Sequence, residues 1–274
     1  MNFQDSDNDV EAFENNQTPE KLYKYRSCSS PDSMRNIIKT IVDNEIYLAS
    51  SWSFNDIFDC RPVIRSECTD AEFISIYVKL AQKRGPRKSI GELMMDAKIA
   101  CGNSKRDPRI LDVSIGMQKE LARKVSLAGI YCATPKNDNL LMWSHYADNH
   151  KGICLEFNGK LDIFKEAMEV DYLEDRPTIN SLKKDSLNKI MRNTLTTKSI
   201  DWKYESEWRI IRQVNGVGAV KINPDTLTGI VFGAACEKKT ISDITKANFS
   251  RANPVSLYKA VADNRHFLLS IVPL

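Results

Sequence analysis

The chain has 274 residues, 39 Lys and Arg against 36 Asp and Glu, seven cysteines and a mean hydropathy of −0.39. That length sustains one large domain or two small ones, and no run of about 18 uncharged apolar residues marks a transmembrane helix. With no basic-then-apolar leader, no Cys-x-x-Cys and no Cys/His pairs at metal-ligand spacing, the composition argues against secretion, a disulfide framework and a zinc site, so a cytoplasmic protein is expected.

Residues 1–20 hold Asp5, Asp7, Asp9, Glu11, Glu14 and Glu20 and no Lys or Arg, which predicts a flexible acidic arm in front of a domain spanning 21–274. Leu22–Ser27 alternates as a strand. Pro31 and Asp32 then open a helix to Val42 with Met34, Ile37, Ile38 and Ile41 on one side, and Ile46–Ser50 returns as a strand. Ser51–Asp59 fits neither period and reads as an exposed loop, in which Asn55, Asp56 and Asp59 either cap turns or face a ligand. Residues 70–124 have the pattern of a helical insertion. Twelve Lys and Arg against five acids between 79 and 124 make it either a solvated surface or a phosphate-facing one for nucleic acid.

Ala128–Thr134 predicts a buried strand, Leu140–Ala147 a short helix and Lys151–Phe157 the next strand, a unit that presents Trp143, Ser144, His145 and Tyr146 together. Cys132 and Cys154 fall in apolar runs and are expected to be buried thiols. Residues 181–195 predict a Lys-rich helix. The stretch 201–212 predicts a strand with Trp202, Tyr204, Trp208 and Ile210 on one face and Lys203, Glu205, Glu207 and Arg209 on the other. Two carboxylates two residues apart repel unless cations offset them, so this row is either a charged sheet face or a reaction centre. Strands at 220–222, 229–233, 255–258 and 266–272 and a helix at 237–248 follow. Strands scattered irregularly among helices point to a single α+β domain with a mixed or antiparallel central sheet.

Four separated phrases carry a resemblance: Leu22-Tyr-Lys-Tyr-Arg-Ser27, Ile46–Ser50 with Phe54-Asn-Asp-Ile-Phe-Asp59, Met142–Phe157, and Lys198 followed by Trp202-Lys-Tyr-Glu-Ser-Glu-Trp-Arg209. In this order they resemble the bacterial domain-of-unknown-function 2971 family. The opening strand ending in Tyr25-Arg26 and the late Glu205-x-Glu207 also resemble the ADP-ribosyltransferase fold. That likeness implies a split sheet and NAD as substrate, with no metal. It implies that Tyr25 and Arg26 grip NAD, helped by Arg209 at the diphosphate, and that Asn55, Trp143 and Tyr146 surround the nicotinamide and ribose. Glu207, Glu205 and His145 are the catalytic candidates.

The expected activity is transfer of ADP-ribose to nucleic acid, through the basic 79–124 segment, or to protein, in a bacterial toxin or defence setting with an antitoxin or partner protein and no membrane. Two other functions stay open on the sequence: a non-catalytic nucleotide or nucleic-acid sensor, and a metal-dependent nuclease around Asp56, Asp59, Glu205 and Glu207. Structural roles stay open as well. Arg26 can pair with Glu205 or Glu207 across strands, Trp202 and Trp208 can be core, and His145 can be a satisfied structural residue.

Overall fold

The computed structural model describes residues 18–65, 67–83, 88–103, 108–180, 187–213 and 215–274. The acidic arm at 1–17, residues 181–186 of the Lys-rich stretch, and Arg84, Arg87, Lys105 and Arg106 of the basic segment lie outside the described residues.

In chain order the elements are β1 (Lys21–Arg26), α1 (Pro31–Val42), β2 (Glu45–Ser50), β3 (Val63–Arg65), α2 (Asp70–Lys83), α3 (Ile90–Asn103) and α4 (Pro108–Leu127). Then come β4 (Gly129–Ala133), α5 (Leu140–Tyr146), β5 (Ile153–Asn158), β6 (Met168–Glu169), β7 (Asp171–Leu173), β8 (Thr178–Asn180) and α6 (Leu187–Leu195). The chain continues with β9 (Thr197–Ser199), β10 (Trp208–Arg212), β11 (Gly218–Lys221), β12 (Leu227–Phe232), α7 (Lys238–Phe249), β13 (Ser256–Ala262) and β14 (Leu269–Pro273). Local chemistry explains the starts: Ser30 caps α1 by accepting from Ser33 N at 3.1 Å, Pro31 fills the first turn, and Ile37 and Ile41 bury one helical face.

The architecture is α+β with two five-stranded sheets, ordered β1-β5-β12-β13-β14 and β11-β2-β4-β10-β6. Pairing is antiparallel throughout them except between β12 and β13, which are joined by the crossover helix α7 as parallel neighbours require. One bridge stitches the sheets: Tyr23 N donates to Thr134 O at 2.7 Å and Thr134 N to Tyr23 O at 2.9 Å. The main core gathers Leu22, Ile37, Ile41, Tyr131, Leu155, Phe157, Phe164, Trp208 and Phe232, with Phe157 and Phe164 stacked at 4.6 Å. Of the helical pattern predicted for residues 70–124, the described residues form α2, α3 and α4.

The predicted strand over 201–212 needs correction. Ile200–Glu205 is a 3-10 turn capped by the Ser199 hydroxyl, Ser206 adopts φ 45°, and extended structure begins only at Trp208. Because that turn precedes the strand, the two faces predicted from a period of two do not form: Lys203 is exposed while Glu205, Glu207 and Arg209 are all buried.

Candidate active site

Four segments meet between the sheets: the loop after β2, α5, β9 and the turn into β10. Asn139 fixes the geometry of two of them. Its side-chain oxygen caps α5 by accepting from Leu141 N and Met142 N, and its Nδ2 donates to Tyr204 O at 2.7 Å, tying α5 to the 3-10 turn. The left-handed Ser206 then lets the chain pass from turn to strand with Glu205 and Glu207 both directed at Lys198.

The result is a buried charge cluster of Asp59, Lys198, Glu205, Glu207 and Arg209. Arg209, fully buried, holds Glu207 through Nε at 2.8 Å and a second contact at 3.0 Å, and holds Asp59 through two contacts at 2.9 and 2.7 Å. It also donates to Leu195 O at 2.8 Å. Lys198 Nζ lies 2.5 Å from Glu205, 3.1 Å from Glu207 and 4.0 Å from Asp59. Burial alone would raise the Glu207 carboxyl, but Arg209 and Lys198 outweigh it and hold the group well below the usual carboxylate range. Burial likewise works against charge on Lys198, yet Glu207 and Glu205 keep its pKa above the ordinary lysine value.

Asp59, Lys198, Glu205 and Glu207 all line one cavity, and Glu205 is the member that reaches α5. Its Oε1 accepts from the Tyr146 hydroxyl at 2.6 Å, and the cavity, of about 330 Å³, has Lys24, Tyr25, Phe54, Cys132 and His145 among its other walls. Burial and then Glu205 raise the Tyr146 phenol, so it stays a donor. Lys24, between two tyrosines on β1, forms no ion pair with a described residue, and its Nζ sits 5.1 Å from the Tyr131 ring centroid. Burial pulls its pKa below the ordinary value, and Arg26 adds to the effect. Burial also pushes the Cys132 thiol up to about 12, with Glu207 next in effect.

The structure brings some of the expected residues to this cavity and removes others. Tyr25, His145, Tyr146, Glu205 and Glu207 line it, as does Asn55, whose Nδ2 donates to the Tyr146 hydroxyl at 3.3 Å. Arg26 neither lines it nor forms an ion pair with Glu205 or Glu207: Lys24, two residues earlier on the same face of β1, is the cation that reaches the cavity. Trp143 is fully buried in the core, edge-on to Tyr25 at 5.0 Å with its Nε1 spent on Asn137 O at 2.8 Å, so it is packing and not a ligand wall. Arg209 is likewise unavailable to a diphosphate, since Glu207, Asp59 and Leu195 O take its donors. Trp208 is core, whereas Trp202 is partly exposed with Lys198 Nζ 4.9 Å from its ring centroid. Cys154 is buried as expected, but Cys132 faces the cavity.

Asp59, Glu205 and Glu207 do converge, but on two cations. Among the described residues no group of three or more His, Cys, Asp or Glu is arranged to hold a metal ion, and no helix is long and apolar enough to cross a membrane. Lys24 and Lys198 are not among the site residues that the sequence points to. Lys198 carried a signal, as the first residue of the phrase that ends at Arg209, and Asp59 as the last residue of the 54–59 phrase.

The span from α5 to β10 supplies Tyr146, Lys198, Glu205, Glu207 and Arg209. Residues 142–210 match the family model described as "Protein of unknown function (DUF2971)". The DUF2971 match thus covers four of the five residues in the charge cluster and the tyrosine that contacts it, while Lys24, Asn55 and Asp59 lie outside it. Comparison with curated proteins and with solved structures returned no match.

Proposed function

We propose that the chain is an ADP-ribosyltransferase-like enzyme that takes NAD as substrate, with Glu205 as its reaction-centre carboxylate. One observation supports this reading: a carboxylate held by Tyr146 and Lys198 at the wall of a cavity that is also lined by Lys24, a cation with no ion-pair partner among the described residues. At about 330 Å³ the cavity is at the small end of ligand pockets, a size suited to the nicotinamide–ribose end of a dinucleotide. Phe54, Tyr25 and Met142 offer apolar wall to a flat ring, and Lys24 replaces Arg26 and Arg209 as the group facing a phosphate.

Breaking the glycosidic bond sends its electron pair to the nicotinamide nitrogen and leaves positive charge on the ribose, which the fixed Glu205 carboxylate stabilises. An acceptor oxygen or nitrogen bonds to the same carbon, and its proton passes to His145, which is exposed and lines the cavity. Glu207, clamped by Arg209, acts by positioning Lys198 and hence Glu205.

The test is nicotinamide release from NAD by the purified protein, with and without cell lysate as a source of acceptor. Release that is lost in Glu205→Gln supports the reaction, and NAD that is neither bound nor consumed overturns it.

A further inference from the structure

The loop that supplies Ser53, Phe54 and Asn55 to the cavity continues outward on both sides into exposed aromatics. Trp52 is 61% exposed and Phe58 53%, with Ile57 beside it at 67%. Each ring carries an arginine: Arg61 lies 4.9 Å from the Trp52 ring centroid and Arg176 5.6 Å from that of Phe58. Arg176 is anchored to the same loop by donating Nε to Arg61 O at 2.8 Å, so the rings and guanidiniums form one braced unit. Exposed flat rings paired with guanidiniums are a stacking platform for bases.

We infer that this loop binds a single-stranded nucleic acid and presents one of its nucleotides at the mouth of the cavity as the acceptor, an inference about substrate that rests on the proposed reaction. Every base has a π-face, so two exposed rings on the loop that also lines the cavity suit an unpaired strand with one nucleotide held beside it. Residues 21–274 carry 39 Lys and Arg against 30 acids, a net charge that favours a polyanion. Glu174 and Asp175 are exposed beside Arg176 and oppose a broad phosphate track, so stacking is the larger contribution. With Arg61 and Arg176 as the two phosphate partners, the expected salt slope is shallow, about −1.4 in log K against log salt.

The experiment uses fluorescein-labelled single-stranded DNA and RNA of mixed sequence, with binding read by anisotropy and transfer read with NAD labelled in the adenylate. Trp52→Ala and Phe58→Ala are each expected to weaken binding by about ten-fold, and the double variant to lose label transfer to the oligonucleotide. Both side chains are exposed, so unchanged melting temperatures are expected to accompany those losses. Oligonucleotide binding that is indifferent to the double variant overturns the inference, as does label that reaches only protein or binding that is confined to lipid vesicles. Nicotinamide release without oligonucleotide is scored separately. Its absence in the wild type defeats the reaction, while the anisotropy series still decides whether the loop binds a strand.

Discussion

The Tyr146 hydroxyl donates to Glu205 Oε1 at 2.6 Å, linking the end of α5 to the end of the 3-10 turn 59 residues later. A neutral donor and the Lys198 ammonium thus share one carboxylate, and Asn55 closes the chain by donating to the same phenol oxygen at 3.3 Å. Removing the phenol leaves Glu205 with Lys198 alone and free to swing. Tyr146→Phe is therefore expected to lower kcat for nicotinamide release by about 10- to 100-fold, from a charge-assisted hydrogen bond of roughly 1.5–3 kcal/mol, with KM little changed. Steady-state kinetics on the folded variant check this.

Glu207 and Glu205 differ in what their loss costs. Glu207→Gln strips one carboxylate from a fully buried arginine, and breaking a buried pair of this kind costs about 3–5 kcal/mol. Urea unfolding is expected to show this as a lowered midpoint. Glu205→Gln, which removes a carboxylate with one cation partner where Glu207 has two, is expected to lose less stability. A variant pair with the reverse order of stabilities contradicts the placement of the two acids.

The cluster sets a pH window. Glu207 lies well below its ordinary 4.5 in the folded chain, so between those values the unfolded chain binds a proton that the folded one does not. Its contribution is full above about pH 4.5 and is lost as pH falls toward the folded value. Lys198 has the opposite sense: its pKa is raised above 10.5, so its contribution is full below 10.5 and is lost as pH rises through the folded value. Urea midpoints measured across acid and alkaline pH are expected to fall at both ends, and Glu207→Gln is expected to flatten the acid limb.

Lys24 separates binding from folding. Its lowered pKa means that charge on it opposes folding until pH rises toward 10.5. Lys24→Met is expected to raise the neutral-pH urea midpoint, because a half-buried cation with no ion-pair partner among the described residues becomes an apolar chain of similar size. The same variant is expected to weaken NAD binding about ten-fold, as read by calorimetry. Loss of both stability and binding contradicts its role as a ligand-facing cation.

The alternation of β1 and β2, the apolar stripe of α1 and the strand–helix–strand unit from β4 to β5 are all visible in the sequence, because each is a local pattern closed by local caps. Strands of two or three residues such as β3, β6 and β9 are too short to show a period. The stretch 202–210 satisfies a strand period, yet the Ser199 cap and the left-handed Ser206 turn half of it into a 3-10 turn. The site was only partly legible. Glu205, Tyr146 and Asn55 could be named from their types, but the contact between Arg209 and Asp59 spans 150 residues, and nothing local tells that Arg209 is already spent. Trp143 misleads for the same reason: burial behind Tyr25 is a property of the packed sheet and not of the phrase it sits in.

The central claim rests on Glu205, and nicotinamide release from NAD, followed by chromatography for wild type and Glu205→Gln at matched melting temperature, tests it most directly. The expected result is steady release by the wild type and a loss of at least about 100-fold in the variant. A wild type that releases no nicotinamide, or a variant that releases it at the wild-type rate, contradicts the account.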